Sequence, residues 1–468
     1  MHAHPRRPAP RGPHTTPRAT LNRRHLLLGT LGSLALAACG GGGDAAPAFR
    51  VPAETETQQA VLMASLGYDY KHDWSTLDTQ ARMIRELVAH VPVIYLVNTD
   101  QSDQPDGGDA GALTQALLGL GVPQSTIDAR VRLLRVEHGE FWVRDYGGIF
   151  LSNGRGEHRV VDFEFDGYGY NAFGGPDTVD LYDFDNDLAV RVAESLRHPV
   201  ERSPLIAEGG NLHFNGQGTV IALEIGLLGR NPGWSKTQIE DEIKRVFGVR
   251  KMLWLPRNLP TDAHAVRQTP YLVGGEHVYN LGVTHIDEMV AWVDARTLLL
   301  PEVTAAELAA AQAAGDPIGM LAHEVLEEAH TILRGASNEA GQPLDIVRVP
   351  EPGAILIDIG PDDVLYQAIA DLDHHPVQRL VGAEAFAGNQ PVKFVLPASY
   401  MNFLVTNGLV LIPQFHAEGR DPSLEEKDAR FKSIIETCYP GRRVVQLNVD
   451  AILAGGGGMH CISQQVPV

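Results

Sequence analysis

The sequence predicts an α/β fold, a single domain assembled from repeated helix–strand modules. Three observations predict it. Amphipathic helical stretches alternate with short apolar runs of strand length. The linkers between them are short, and no composition shift marks a boundary between independent domains. The composition, 44% hydrophobic and 21% charged over 468 residues, is that of a globular chain with material for a large core.

In chain order, Leu77, Ala81, Ile84, Leu87 and Val88 share one face of a helix over Thr76 to His90, ended by Pro92. Val93 to Val97 is a continuous apolar run and reads as a buried strand. Thr99 to Gly111 is an acidic, glycine-rich loop, Leu113 to Leu120 a helix and Val131 to Val136 a strand. The alternation returns as helix Asp187 to Leu196, strand Thr219 to Leu223, helix Lys236 to Phe247 and strand Lys251 to Leu255. It returns again as helices Ala305 to Ala313 and Gly319 to Leu333, strand Asp345 to Val349, helix Leu424 to Thr437 and strand Val444 to Leu447.

Residues 1–38 read as a signal peptide rather than as part of the fold. Arg23-Arg24 leads into an apolar run, Leu26 to Ala38, too short to span a bilayer and of the twin-arginine type. Leu36-Ala37-Ala38-Cys39 resembles a bacterial lipobox, with Cys39 as the lipidated residue. Residues 39–54, starting with Gly40 to Gly43, are then a flexible tether, and 55–468 the folded domain. The expected location is outside the cytoplasm, anchored to a membrane and facing the periplasm or cell surface. All six charged residues of the leader are arginines, so the body is more acidic than the chain's net −20. That balance disfavours nucleic acid and attracts cations. Past Cys39 there remain Cys438, expected as a buried structural thiol, and Cys461, expected to be free.

Four stretches carry chemistry. Four glycines, Gly455 to Gly458, run into Met459-His460-Cys461, and the apolar Ala451 to Leu453 before them reads as a strand end. This puts a thiol on a sharp turn with the exposure a nucleophile needs. Glu140-Phe141-Trp142-Val143-Arg144-Asp145 reads as a strand ending in an Arg-Asp pair, with Gly147-Gly148 as a turn; Asp145 beside an aromatic suits a cation. Glu208-Gly209-Gly210-Asn211 places a carboxylate at a glycine turn. In Thr284-His285-Ile286-Asp287, His285 and Asp287 are two apart on an expected strand, so both point the same way. That pair suits acid–base work and cation binding, or half of a metal site, though no companion metal motif occurs. His264 and His277 read as surface histidines.

Together, Trp142-Val143-Arg144-Asp145, Glu208-Gly209-Gly210-Asn211, His285-Ile286-Asp287 and Gly455 to Cys461 resemble the ordered motifs of agmatine deiminases and bacterial-type peptidylarginine deiminases, in the guanidine-modifying (pentein) superfamily. Leu227-Leu228-Gly229-Arg230-Asn231-Pro232, Pro397 to Phe403 and Gln464-Gln465 extend the resemblance over about residues 55–468. It implies an α/β propeller of five pseudo-symmetric modules around a central site. It implies hydrolysis of a guanidinium, in agmatine or peptidyl-arginine, to a ureido product and ammonia. Cys461 would be the nucleophile through a thiouronium intermediate and His285 the acid and base. Asp145 and Asp287 would hold the guanidinium with Trp142, and Glu208 would bond either His285 or a guanidinium nitrogen. No metal or organic cofactor is implied. The alternatives are an amidinotransferase and a lipid-anchored binding protein for polyamines or arginine. Two departures stand out. Asn258 to Val283 is inserted before His285, with Thr284 where the family has Gly, and Asp162 to Asp177 lacks an arginine to clamp a carboxylate. The oligomeric state is not readable.

Overall fold

The computed structural model describes residues 48–98, 107–169, 183–264, 270–370 and 388–468. Strands β1 (Gln58–Ala64), β2 (Val93–Val97) and β3 (Val131–Arg135) are mutually parallel, with Val61 opposite Val93 and Val93 opposite Val131. Parallel strands need a crossover, and the helix Thr76–Leu87 supplies the first one, with Ser75 capping its N-terminus. A second pattern then begins. β4 (Ile149–Ser152) pairs antiparallel with β5 (His158–Glu164), which pairs parallel with β6 (Val200–Ile206). The same hairpin followed by a parallel crossover recurs in β7 (His213–Phe214), β8 (Thr219–Leu223) and β9 (Lys251–Leu255).

The inserted stretch contributes regular structure on both sides of residues 265–269, which lie outside the described part. Its strands β10 (Tyr271–Val273) and β11 (Glu276–Tyr279) form a hairpin. The hairpin-plus-crossover pattern resumes in β12 (Ala291–Trp292), β13 (Thr297–Glu302) and β14 (Asp345–Pro350). β15 (Leu356–Ile359) and β16 (Val392–Val395) join the inserted hairpin in a separate sheet of order β10-β11-β16-β15. The pattern appears again in β17 (Leu404–Thr406), β18 (Leu409–Gln414) and β19 (Arg443–Asn448). Finally β20 (Gln464–Pro467) returns antiparallel to β1, giving the first sheet the same hairpin from opposite ends of the chain. Five sheets therefore share one topology among the described residues. Their continuous apolar strands, such as β8 with all five residues buried, fit burial on both faces.

Several local expectations are corrected. Ala451 to Leu453 belongs to a helical turn, Asp450–Leu453, rather than a strand end. Val143–Tyr146 is also a helical turn, and Ile286–Glu288 is a turn of 3₁₀ helix. The Thr99 to Gly111 loop is overtaken by a helix from Gly108 to Gly119, with residues 99–106 outside the described part. The tether is shorter than 39–54: Arg50 pairs with Ser152 and Glu54 reaches inward to His460, so the packed chain starts before residue 55. His264 is buried, its Nε2 2.8 Å from the Tyr168 carbonyl, while His277 is exposed as expected. Cys438 and Cys461 are both free, but Cys438 is half-buried rather than buried. The expected leader, residues 1–38, and Cys39 lie outside the described residues, and so does part of the arginine-free stretch, residues 170–177. Among the described residues no helix is long and apolar enough to cross a membrane.

Candidate active site

All four motifs converge. Arg144 ties the first to the last: its backbone N–H donates to the Cys461 carbonyl at 3.1 Å, and its guanidinium bonds the His460 carbonyl and Gln465. The glycine run is needed for close packing more than for exposure. Gly456 has φ +107, and a Cβ there would lie 2.7 Å from the Leu281 carbonyl. A Cβ on Gly457 would sit 2.8 Å from the Trp142 ring and 3.0 Å from the Cys461 sulfur, so indole and thiol share one wall.

Gly210 marks the centre. A Cβ there would lie 2.6 Å from His285 Nδ1, 2.7 Å from Asp145 Oδ1 and 3.2 Å from Asp287 Oδ2. Its own N–H donates to Asp145 Oδ1 at 3.0 Å, while Tyr168 donates to Asp145 Oδ2 at 2.9 Å. His285 lies between two carboxylates, Nδ1 3.6 Å from Asp145 and Nε2 3.7 Å from Glu208. Glu208 bonds Arg230 through Oε1 at 2.7 Å. The Cys461 thiol points to Asp287 Oδ2 at 3.6 Å. Cys461 is 3% exposed, Asp145 6%, and His285, Asp287 and Glu208 1% each. The five predicted site residues and Trp142 are thus brought together. His285 and Asp287 converge through the 3₁₀ turn and not through strand alternation.

Four contributors escaped the sequence reading. Asn402 donates to both Cys461 Sγ (3.0 Å) and Glu288 Oε1 (2.8 Å), and accepts from the His460 N–H (2.8 Å). Its stretch was visible as a motif, but nothing local distinguished the amide. Glu288 is 2% exposed beside Asp287. His460 bonds Asp287 at 2.7 Å and Glu54 at 2.7 Å. Asp262, from the insertion, accepts the backbone N–H groups of Val283, Thr284 and His285. It clamps Thr284 at φ +73, a left-handed conformation costly for a β-branched residue and natural for the family's Gly.

The electrostatics divide the groups by charge state. Burial disfavours the His285 imidazolium, but Asp145, Glu208 and Asp287 outweigh it and raise its pKa to about 9. Burial, with Asp287 and Glu208 adding to it against His285, lifts Asp145 to about 6. Against burial, Arg230 and His285 hold Glu208 at about 2. Asp287 stays below the usual carboxylate range because His460, then His285 and Arg144, overcome burial. Burial and then Asp287, Asp145 and Glu288 push the Cys461 thiol well above its ordinary value. Burial and then Asp287 and Asp262 push Glu288 up too.

Glu208 Oε2 and Asp287 Oδ1, on carboxylates held ionised, are buried without a hydrogen-bond partner among the described residues. Buried acceptors of this kind call for a ligand rich in donors. Among the described residues, two groups place possible metal-ligand atoms within 4.8 Å of one another: Glu54, His213 and His460, and Asp287, Glu288 and Cys461. In the first, both ring nitrogens of His460 already bond carboxylates; the second is the thiol's own surroundings.

An α/β fold of repeated units with a buried thiol, two imidazoles and several carboxylates defines a cysteine-centred site for a cationic, donor-rich group. The family model described as Porphyromonas-type peptidyl-arginine deiminase matches residues 50–467, and the chain belongs to that family. A relative from Marinomonas sp. (strain MWYL1), named "Putative agmatine deiminase", is 28% identical over 424 residues, 90% of this chain and 94% of its own. The agmatine deiminase of Enterococcus faecalis has a similar fold, with TM-score 0.64 and 22% identity over 90% of this chain and 96% of its own. A Porphyromonas gingivalis structure, described as a "Putative Arginine Deiminase", aligns with TM-score 0.60 and 22% identity over 90% of this chain and 98% of its own.

Proposed function

We propose that the protein hydrolyses a guanidinium group, in agmatine or in a peptidyl arginine, to a ureido group and ammonia. The observation that carries this is the clustering of His285, Asp145 and Asp287 around Gly210 with Cys461 beside Asp287. A guanidinium is planar, cationic and purely a donor, and the unpartnered carboxylate oxygens are acceptors for it. Its charge offsets the carboxylates that hold Cys461 as a thiol, so on substrate binding the S–H bond breaks, its proton is released to solvent and the thiolate forms. Sγ attacks the central guanidinium carbon and a C–S bond forms. The His285 imidazolium passes its proton to one amino nitrogen, the C–N bond breaks and ammonia leaves. Neutral His285 then takes a proton from the attacking water. The C–S bond breaks, the thiolate is restored and the ureido product departs. Glu208, held by Arg230, keeps His285 charged for the first step. Trp142 walls the reacting carbon beside the sulfur.

The five sheets of shared topology support an arrangement as a five-unit propeller around this site. Cys39 as a lipid anchor at a membrane surface completes the reading; it is supported by the lipobox-like sequence. Cys39→Ser should move the protein to the soluble fraction, and unchanged fractionation would remove the anchor. A lipid-anchored binder would not require a thiol beside an imidazole. Ammonia release from agmatine, arginine and an N-acyl arginine amide, compared with Cys461→Ala, tests the activity. A variant that keeps turnover, or a protein that releases no ammonia from any of them, would overturn it.

A further inference from the structure

We propose that Glu54 and His460 are positioning residues: a Glu54–His460–Asp287 chain holds Asp287 as an ionised, oriented acceptor for the guanidinium. The proposal rests on the deiminase reading above. His460 Nδ1 lies 2.7 Å from Asp287 Oδ2 and Nε2 lies 2.7 Å from Glu54 Oε1. A neutral imidazole carries one N–H and can donate to one carboxylate. Only the imidazolium donates to both, and charge-assisted bonds of this length are the strong kind.

The groups facing His460 come from four elements. Glu54 belongs to the N-terminal segment and Asp287 to the 3₁₀ turn Ile286–Glu288. Arg144, from the turn Val143–Tyr146, bonds the His460 carbonyl and lies 3.4 Å from Glu54 Oε1. His213 of β7 lies with its ring parallel to that of His460, centroids 5.9 Å apart. Burial and Arg144 disfavour the imidazolium, and Glu54 and Asp287 outweigh them. His213 is kept uncharged, its pKa lowered to about 4 by burial above all. Asp287 is buried, and burial presses it to hold a proton. The cation behind it counters that pressure. Glu54 anchors the outer end, 21% exposed and lining a surface depression with Pro52, Gln58 and Gln464. The residue that completes the site therefore comes from a segment remote in sequence from every catalytic motif.

The test uses the whole mature chain and two readouts. In the resting protein, nitrogen NMR of the His460 ring, assigned with His460→Gln, should show both ring nitrogens protonated at neutral pH. Glu54→Gln should remove one of them. In turnover, Glu54→Gln should raise KM for agmatine about tenfold and leave kcat within a few-fold, because Asp287 loses the cation that holds it as an oriented acceptor. Glu54→Asp, which retains the charge, should recover part of that loss. A neutral His460 ring in the wild type, or a KM unmoved by Glu54→Gln, overturns the proposal. If the wild type releases no ammonia from any guanidinium compound, the deiminase reading falls, and the ring protonation alone decides the chain.

Discussion

The side-chain amide of Asn402 donates to Sγ of Cys461 at 3.0 Å. The same NH₂ reaches Glu288, and the amide oxygen takes the His460 N–H, so one residue fixes both the thiol and its neighbours. A donor aimed at sulfur favours the thiolate where burial and three acids oppose it. Asn402→Leu should lower kcat/KM roughly 10- to 100-fold, since a hydrogen bond to a charged group contributes about 1.5–3 kcal/mol. The rate of Cys461 alkylation against pH, measured on both proteins, should show the thiol harder to ionise in the variant. Unchanged alkylation would separate Asn402 from the thiol chemistry.

Gly210 should tolerate no side chain. Its φ is not in the left-handed region, so the obstacle is space alone: an added Cβ would press on His285 and Asp145. Gly210→Ala should fold, judged by circular dichroism, and lose at least about 100-fold in kcat/KM, the order of loss expected from a misplacement of about 1 Å. Turnover within a few-fold of the wild type would show that the guanidinium sits elsewhere.

The pH dependence follows from His285. Its folded pKa of about 9 lies above the ordinary 6.5, so its contribution to stability is complete below about 6.5 and is lost as pH rises through about 9. Its acid form is also the proton donor, so kcat/KM should fall along an alkaline limb near pH 9. Glu208→Gln removes one of the carboxylates that raise it, and the limb should move to lower pH. An alkaline limb at the same position in Glu208→Gln would assign it to another group.

Much of the fold was legible because crossover helices and buried strands leave complete periodic signatures: Lys236 to Phe247 and Thr219 to Leu223 fall where their apolar patterns put them. The site residues were legible as motifs, but not the local geometry that joins them. Short turns such as Val143–Tyr146 and Ile286–Glu288 span too few residues for a period to distinguish helix from strand. Glu54 and Asp262 were invisible for another reason. Each acts through a partner far along the chain, His460 for one and the backbone of His285 for the other, and nothing beside them in sequence marks the contact. Thr284 in place of Gly was visible as a departure, and the positive φ gives it a physical cost.

Substrate choice should follow charge. The acidic body, with no arginine in Asp162 to Asp177, offers little to a substrate carboxylate. Arg230 is committed to Glu208, and Arg257 to Glu324 and Glu328. Agmatine or an N-acyl arginine amide should therefore exceed free arginine in kcat/KM by about tenfold or more, the equivalent of one charge-assisted pair. Equal use of free arginine would place a carboxylate clamp in the structure.

Covalent catalysis by Cys461 on a guanidinium carbon should be visible in mass spectra of the reaction quenched during steady turnover of agmatine. The peptide containing Cys461 should gain the mass of the substrate less ammonia, and the adduct should disappear once substrate is exhausted. Ammonia release with an unmodified Cys461 peptide, and a Cys461→Ala protein that still turns over, would contradict it.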